Sequence, residues 1–443
     1  MYKSFRKPSS AYHRCSKCLL MNVFHRLKNN VLFRVIGYTG IAGVLRLLFG
    51  LISQKVIAVF LGASGLAVLA NFRNLIEVLG AFSSVGSQNG IISETAASEN
   101  YIDMRSLLNT AITLFFGASI IIGIFVFWQH EWISIQLYID PKFGLLVQSI
   151  AFTVPFLGLS LLIEAVLSGK KAFKAVSNVQ LLTTAATAIL MITLLYLYGL
   201  MGALIALFCR PIIGFILFFS QLKKSSFPIS FFNGFRLDLS RFKHLSPYIF
   251  MSLLAIGLVH VAELYLRGLI SSKINLNAAG LWTAMNTISS NYFVFISAIF
   301  SLYVLPRFSE NILSFNLFRE TKQILKILLP FVTLGLAVVY FLRVPITKLL
   351  YSLEFISITS LFKWQLTADW FRVIFLVFGY FLVAKKLIKE YVVVELFSFS
   401  VLILLSHLWI GDFGIEGVVM ANAVRYMGCL ALVVLLLRKK LVR

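Results

Sequence analysis

The sequence predicts an all-α membrane protein with twelve transmembrane helices in two parallel six-helix repeats. The 443-residue chain is 59% hydrophobic and only 13% charged, whereas soluble domains are about 25% charged. Apolar windows of about 20 residues, the length needed to cross a bilayer, recur along the whole chain. The predicted spans are centred near Leu47, Leu79, Gly117, Phe156, Ala185, Ile212, Leu258, Phe295, Leu336, Val373, Ser400 and Val424.

The distribution of basic residues predicts the orientation. With the N-terminus inside, the cytoplasmic segments carry 27 of the 40 Lys and Arg residues and the outer segments carry five. A shift of the frame by one helix would invert this asymmetry. The positive-inside rule therefore predicts that both termini are cytoplasmic. Because the net charge of +23 is explained by topology, we expect no nucleic-acid partner.

The two halves of the sequence match at a constant offset of 215 residues. Gly65 corresponds to Gly280, and the motif from Gly199 to Arg210 corresponds to the one from Gly414 to Arg425. Six spans per half is an even number, so the repeats are parallel. The predicted organisation is a basic cytoplasmic tail (1–33), an N-lobe (34–222), a cytoplasmic linker (223–245) and a C-lobe (246–443).

The basic tail contains one zinc-like motif, Cys15 and Cys18 with His13 and His25. A single CxxC motif is weak support for a metal site. We favour a tail that contacts anionic lipid, and we predict no metal or cofactor.

Charged residues inside the predicted spans indicate function. Each costs roughly 2.5 to 3.5 kcal/mol at the centre of a membrane helix unless it faces water or a polar ligand. The cations outnumber the acids by 7 − 5 = 2, a surplus that suits a diphosphate. The cations are Arg46, Lys55, Arg73, Arg210, Arg267, Arg372 and Arg425, and the acids are Glu77, Glu164, Glu263, Asp369 and Glu395.

Mutual neutralisation is the alternative interpretation for these charges. Arg73 and Glu77 are spaced i,i+4, as are Glu263 and Arg267, so each pair shares one helix face. Such pairs hold helices in register. The surplus of cations, drawn from both halves of the chain, predicts in addition an anion-binding site at the lobe interface.

Four amide side chains, Asn71, Asn74, Gln88 and Asn89, are assigned to the second predicted span. Amides bind sugar hydroxyls, so these residues are candidate glycan contacts. Hydrogen bonding between helices is the alternative, and the match of Asn71 with Asn286 in the repeat favours it.

The sequence predicts a transporter and no enzyme, because it has no P-loop and no catalytic constellation in its short loops. Three alternatives stay open. A drug or cation antiporter would need an acidic or apolar cavity. A glycan polymerase or ligase would need catalytic residues in a large outer loop, and a scaffold would leave the arginines unexplained.

The stretch from Gly62 to Gly80, which contains Asn71-Phe72-Arg73, resembles the Wzx-type lipid-linked oligosaccharide flippases, as does Trp364-Gln365-Leu366 with Asp369. These are the O-antigen and enterobacterial common antigen translocases. The resemblance implies a MATE/MOP-like fold in the bacterial inner membrane. It also implies translocation of undecaprenyl-diphosphate-linked oligosaccharide to the outer leaflet by alternating access. The implied partners are membrane lipid, a glycan polymerase and a chain-length regulator.

The resemblance and the charge analysis together assign candidate roles. The candidate diphosphate-binding residues are Arg46, Lys55, Arg73, Arg267, Arg372 and Arg425, of which Arg425 is supported only by the repeat. The candidate coupling or charge partners are Glu77, Glu263, Asp369 and Glu395.

Overall fold

The computed structural model describes residues 31–97, 101–136, 144–224, 238–300, 304, 308, 317–385 and 387–441, and within these ranges it is helical with no strand. The helices are α1 (Val31–Ser83), α2 (Gln88–Ala97), α3 (Tyr101–Trp128), α4 (His130–Gln136), α5 (Gly144–Gly169), α6 (Phe173–Lys224), α7 (Leu239–Lys273), α8 (Leu276–Ile299), α9 (Leu317–Phe341), α10 (Arg343–Leu350), a 3-10 helix (Leu353–Ser360), α11 (Phe362–Ala384) and α12 (Ile388–Leu441). The all-α prediction is confirmed.

The three longest helices are each interrupted by one glycine in a left-handed conformation. These residues are Gly62 in α1 (φ 64°), Gly199 in α6 (φ 59°) and Gly414 in α12 (φ 57°). Residues with a Cβ rarely adopt this conformation. The ψ values of Gly199 and Gly414, −138° and −136°, make the two breaks nearly identical at the predicted offset of 215.

Each broken helix holds two predicted span centres, one on either side of its glycine. Seven helices of the described part are long and apolar enough to cross a membrane, judged by length and composition alone. The count of twelve spans and the cytoplasmic termini therefore stay predictions. The zinc-like motif and most of the linker lie outside the described residues.

The breaks in α1 and α6 lie at one end of the helix bundle, which we call the kink end. The ring of Phe60 packs edge-on against Tyr196, with centroids 6.5 Å apart. The 3-10 helix reaches the same end, since a Cβ on Gly62 would lie 3.2 Å from the Glu354 carboxylate. The predicted orientation places the kink end outside the cell.

Helix α1 joins the two predicted lobes because it packs on α6 of the first half and on α7 and α8 of the second. The closest approach lies at Gly280 of α8, where a Cβ would come within 1.8 Å of the Ala63 carbonyl oxygen. Only glycine permits two helix backbones to approach so closely.

The structure corrects one placement. Gln88 and Asn89 do not continue the second predicted span but lie in α2, a separate short helix. Helix α1 ends at Ser83, and the turn that follows has positive φ at Val85 and Gly86. Gly86 packs on α7, where a Cβ would meet the Ile249 carbonyl at 2.8 Å.

Candidate functional site

The Arg267 guanidinium is the centre of a buried polar network that links α7 to α1 and α8. Nη2 forms a 2.9 Å salt bridge with Glu263 one turn earlier, Nη1 donates to Asn71 Oδ1 at 3.0 Å, and Nε donates to Thr283 Oγ1 at 3.2 Å. Arg267 is only 2% exposed. Its charge is therefore committed to the protein itself.

Glu263 receives two further hydrogen bonds, one from each side. Asn74 Nδ2 of α1 donates to Oε2 at 2.8 Å, and Asn286 Nδ2 of α8 donates to Oε1 at 3.2 Å. The network thus joins the first half of the chain to the second. A buried charge pair with all its polar atoms satisfied fixes the helices in one register.

A second cluster differs in chemistry. Arg73 of α1 and Arg210 of α6 line one cavity of about 230 Å³ between α1, α6 and α8, which we call the central cavity. Its far wall is formed by Thr283, Thr287 and Asn291 of α8. Both arginines are exposed, and Arg73 lies within electrostatic range of Arg210 and of Glu77.

Neither arginine of the central cavity is neutralised by contact. Within the part of the chain that the structure describes, neither Arg73 nor Arg210 forms a salt bridge, whereas Arg267 pairs with Glu263. Glu77 is exposed and lines the adjacent cavity within the first half of the chain, although it is i,i+4 from Arg73. One of the two predicted helix pairs is therefore a salt bridge and the other is not.

Arg46 lies in that adjacent cavity, of about 300 Å³, together with Arg210 and Gln88. Its Nη1 donates to Gln180 Oε1, and Gln180 in turn donates to Glu164 Oε1 at 2.7 Å. We call this space the N-lobe cavity. Arg210 lines both this cavity and the central one.

Arg372 and Arg425 line a third cavity, of about 140 Å³, formed by α7, α8, α11 and α12. We call it the C-lobe cavity. Arg372 lies over the ring of Phe293 at 4.0 Å and Arg425 over that of Tyr426 at 4.2 Å, in cation–π geometry. Glu395 of α12 shares this cavity.

Asp369 lies behind the C-lobe cavity and is fully buried. Its carboxylate accepts hydrogen bonds from Ser289 Oγ at 2.7 Å, from Gln365 Nε2 at 3.2 Å and from the Tyr292 hydroxyl. These donors come from α8 and α11, so Asp369 binds the two helices together.

Lys55 contacts none of these cavities. Its Nζ donates to the backbone carbonyl of Lys348, in the last turn of α10, at 2.7 Å. It also donates to the carbonyl of Tyr351, the residue that follows α10. A lysine in this position satisfies carbonyls that the helix leaves without partners. The geometry therefore gives Lys55 a role in fixing the segment from α10 to the 3-10 helix.

Tyr351 is the residue that this segment inserts between α1 and α8, and sequence reasoning did not single it out. It is 1% exposed, its hydroxyl donates to the Ala284 carbonyl at 3.0 Å, and it accepts from Gln54. Its ring stacks on Phe355 at 4.8 Å. Gln54 lines the central cavity, so Tyr351 packs at the kink end of that cavity.

The predicted cations are thus divided among different environments instead of forming one cluster. Asn71 and Asn74 are buried in the Arg267 network, as the interhelical interpretation expects, and Asn89 is exposed on α2. The central cavity pairs Arg73 with Arg210, which the candidate set omitted. The signal for Arg210 was its equivalence to Arg425 in the repeat.

An apolar groove of about 970 Å³ lies between α1, α3 and α4 of the first half and α7 of the second. Leu75, Leu79 and Phe82 of α1 face Leu264 and Leu269 of α7 across it. We call it the lateral groove.

Comparison with known proteins places this architecture. No family model matches the chain. It is 28% identical over 393 residues to a protein named "Lipid III flippase" from Escherichia coli (strain K12), with 88% of this chain and 94% of the relative covered. A protein of the same name from Shigella flexneri matches to the same extent.

Several solved structures resemble the fold of this chain. A multidrug resistance MATE family transporter of the MOP superfamily, in an inward-facing conformation, superposes with a TM-score of 0.73 at 12% identity over 89% of this chain and 95% of that one. The chain therefore shares the fold of this transporter. The lipid II flippase MurJ in its inward closed conformation gives a TM-score of 0.71 at 15% identity, with 90% of this chain and 87% of that one covered.

This fold, which the chain shares with the MATE family transporter and with MurJ, confirms the predicted all-helical, MATE-like architecture. With the apolar helices and the flippase relatives, it makes this a multi-pass inner-membrane protein. Similarity to transporters over most of the chain also supports the prediction of a transporter and no enzyme. An outward-facing MATE family transporter matches with a TM-score of 0.66, lower than the inward-facing one.

Proposed function

We propose that the chain is a flippase that moves an undecaprenyl-diphosphate-linked oligosaccharide from the cytoplasmic to the outer leaflet by alternating access. The observation that carries the proposal is that Arg73 and Arg210 line the central cavity together and that neither forms a salt bridge in the described part of the chain. The glycan in this proposal is an O-antigen or common-antigen repeat unit.

The chemistry of the central cavity fits a diphosphate. Guanidinium groups bind phosphoryl oxygens through two parallel hydrogen bonds, with more geometric specificity than an ammonium group provides. Two neighbouring cations within a membrane protein repel each other and lose hydration, so an empty site holds them at a cost. A bound diphosphate relieves both penalties.

The position of the central cavity fits a carrier. It lies between α1 and α6 of the first half and α8 of the second, so relative movement of the halves would change its access. In the proposed cycle the Arg267 network and Tyr351 close the kink end, which faces outward, and both contacts break when the lobes reorient. The polyprenyl tail stays in the bilayer, where the lateral groove offers an apolar surface.

The relatives support a lipid-linked substrate, since the two curated proteins of similar sequence are named for lipid III flipping and MurJ for lipid II flipping. The fold alone would also suit a multidrug or cation antiporter, but two arginines in one cavity, neither of them in a salt bridge, repel a cationic drug. A polymerase or ligase would need catalytic groups outside the helices, whereas the described outer connections form only the short helices α4 and α10 and a 3-10 helix. A glycan polymerase and a chain-length regulator remain proposed partners.

Complementation tests the proposal. In a strain that lacks its own oligosaccharide-lipid flippase, the chain should restore surface glycan and remove the cytoplasmic accumulation of lipid-linked precursor. Arg73→Ala and Arg210→Ala should each abolish restoration, and Arg73→Lys should restore it partly. Arg105→Ala is the matched control, because Arg105 is exposed on α3 outside the cavities.

Two results would contradict the proposal. If the double variant Arg73→Ala, Arg210→Ala inserts into the membrane and still exports glycan fully, the two arginines do not form the diphosphate site. Glycan transfer in vitro by the purified protein alone would show that the protein is a polymerase or ligase and that the proposed flippase function is wrong.

A further inference from the structure

The C-lobe cavity has a lining that the diphosphate site does not use. Polar side chains converge on it from four helices, among them Asn286 and Ser290 of α8, Gln365 of α11 and Asn422 of α12. Trp282 and Tyr426 add aromatic rings to the wall, and the Arg425 guanidinium lies over the ring of Tyr426. Amides and hydroxyls match the ring hydroxyls of a sugar, and flat aromatic rings match its apolar C–H faces. Binding sites for small polar ligands combine such groups.

Some of these polar groups have no partner in the protein. Among the described residues, the exposed Ser290 and the half-buried Asn422 form no side-chain hydrogen bond, and the buried Nε of Arg425 has no partner either. A buried donor such as Arg425 Nε is destabilising as long as it has no hydrogen-bond acceptor. A ligand with several hydroxyls satisfies all three groups at once.

The cavity lies next to the proposed diphosphate site. Trp282, Asn286 and Ser290 form one row along α8 that lines the C-lobe cavity, and the row beginning at Thr283 and Thr287 lines the central cavity. The two rows differ by one residue and therefore occupy neighbouring faces of the same helix. A sugar in the C-lobe cavity and a diphosphate in the central cavity would thus lie against adjacent faces of α8.

We propose that the C-lobe cavity is a sugar-binding subsite that takes one monosaccharide of the lipid-linked glycan. This inference rests on the proposed flippase function and names the part of the substrate that the cavity recognises. Its wall includes Asn286 and Glu263, which also belong to the Arg267 network. A bound sugar hydroxyl competes for these groups and so links recognition of the glycan to the contact between the lobes.

A binding measurement on the purified full chain in nanodiscs tests the subsite, with two probes. One is undecaprenyl diphosphate, and the other is the same lipid carrying a single N-acetylhexosamine. The wild type should bind the sugar-bearing lipid more tightly. Asn422→Ala and Ser290→Ala should each weaken binding of that lipid roughly five- to tenfold and leave the affinity for undecaprenyl diphosphate unchanged.

The controls separate the outcomes. Gln129→Ala removes an exposed amide outside the cavities and should change neither affinity. Arg73→Ala should weaken both lipids equally. If the wild type binds neither lipid, the proposed function fails and the subsite with it. If the wild type binds both lipids, two results overturn the subsite alone. In the first, Asn422→Ala and Ser290→Ala keep the preference for the sugar-bearing lipid. In the second, both variants lose affinity for the two lipids to the same extent.

Discussion

Arg267 donates a hydrogen bond from Nη1 to Asn71 Oδ1 at 3.0 Å, although the two residues are 196 positions apart. The same guanidinium forms a salt bridge with Glu263. In the internal repeat Asn71 corresponds to Asn286, and Asn286 donates to Glu263. The two equivalent asparagines therefore bind the two partners of one buried ion pair.

We expect Arg267→Ala to lower the stability of the protein more than any exposed arginine substitution. Removing one partner of a buried pair leaves the other charge uncompensated and costs about 3 to 5 kcal/mol. Thermal unfolding in detergent measures the effect. The double variant Arg267→Met, Glu263→Gln has no unpaired charge and should recover much of the loss. An unchanged melting temperature in Arg267→Ala would contradict the assignment of this network.

We expect Lys55→Ala to loosen the segment from α10 to the 3-10 helix, because Lys55 Nζ holds two of its backbone carbonyls. Hydrogen exchange of residues 343–360 should become faster, while the affinity for undecaprenyl diphosphate stays close to that of the wild type. Lys348→Ala, which alters an exposed lysine of the same helix, serves as control. If Lys55→Ala instead lost as much affinity for undecaprenyl diphosphate as Arg73→Ala, Lys55 would belong to the diphosphate site as the sequence predicted.

We expect Tyr351→Phe to weaken closure of the kink end. The hydroxyl bridges Gln54 of α1 and the Ala284 carbonyl of α8, and its loss leaves buried groups without a partner, at about 1 to 3 kcal/mol. Ser53→Cys places a thiol in the wall of the central cavity. This thiol should react faster with a water-soluble maleimide added from outside when Tyr351→Phe is also present than when Tyr351 is intact. Tyr196→Phe changes an exposed tyrosine and should leave this rate unchanged, and equal rates in both variants would exclude the bridging role.

We expect Gly280→Ala to impair packing between the two halves, because its Cβ would lie 1.8 Å from the Ala63 carbonyl oxygen. Backbone atoms have to move to relieve such a contact. Gly411→Ala is the matched control, since nothing lies within 4 Å of its added Cβ and alanine favours a helix interior by about 1 kcal/mol. Gly280→Ala should lower the melting temperature and Gly411→Ala should preserve it. Equal stability of the two variants would exclude the close helix approach.

The sequence by itself determined the all-helical membrane fold and the internal repeat. Hydropathy predicts helices because backbone polar groups must be satisfied within each span, and the spacing of Gly199 and Gly414 predicted a repeat that their backbone angles match. The i,i+4 spacing of Glu263 and Arg267 placed both side chains on one helix face, where they form a salt bridge, but Arg73 and Glu77 have the same spacing and form none.

Only the tertiary structure decided which cations share a cavity. Arg73 and Arg210 lie on different helices, and the direction in which each faces depends on how α1 and α6 pack. The same packing placed Lys55 on carbonyls at the C-terminal end of α10, removed Gln88 and Asn89 from α1, and buried Asn71 against Arg267. Charge and helix periodicity specify the face of one helix, whereas a binding site requires the relative positions of several.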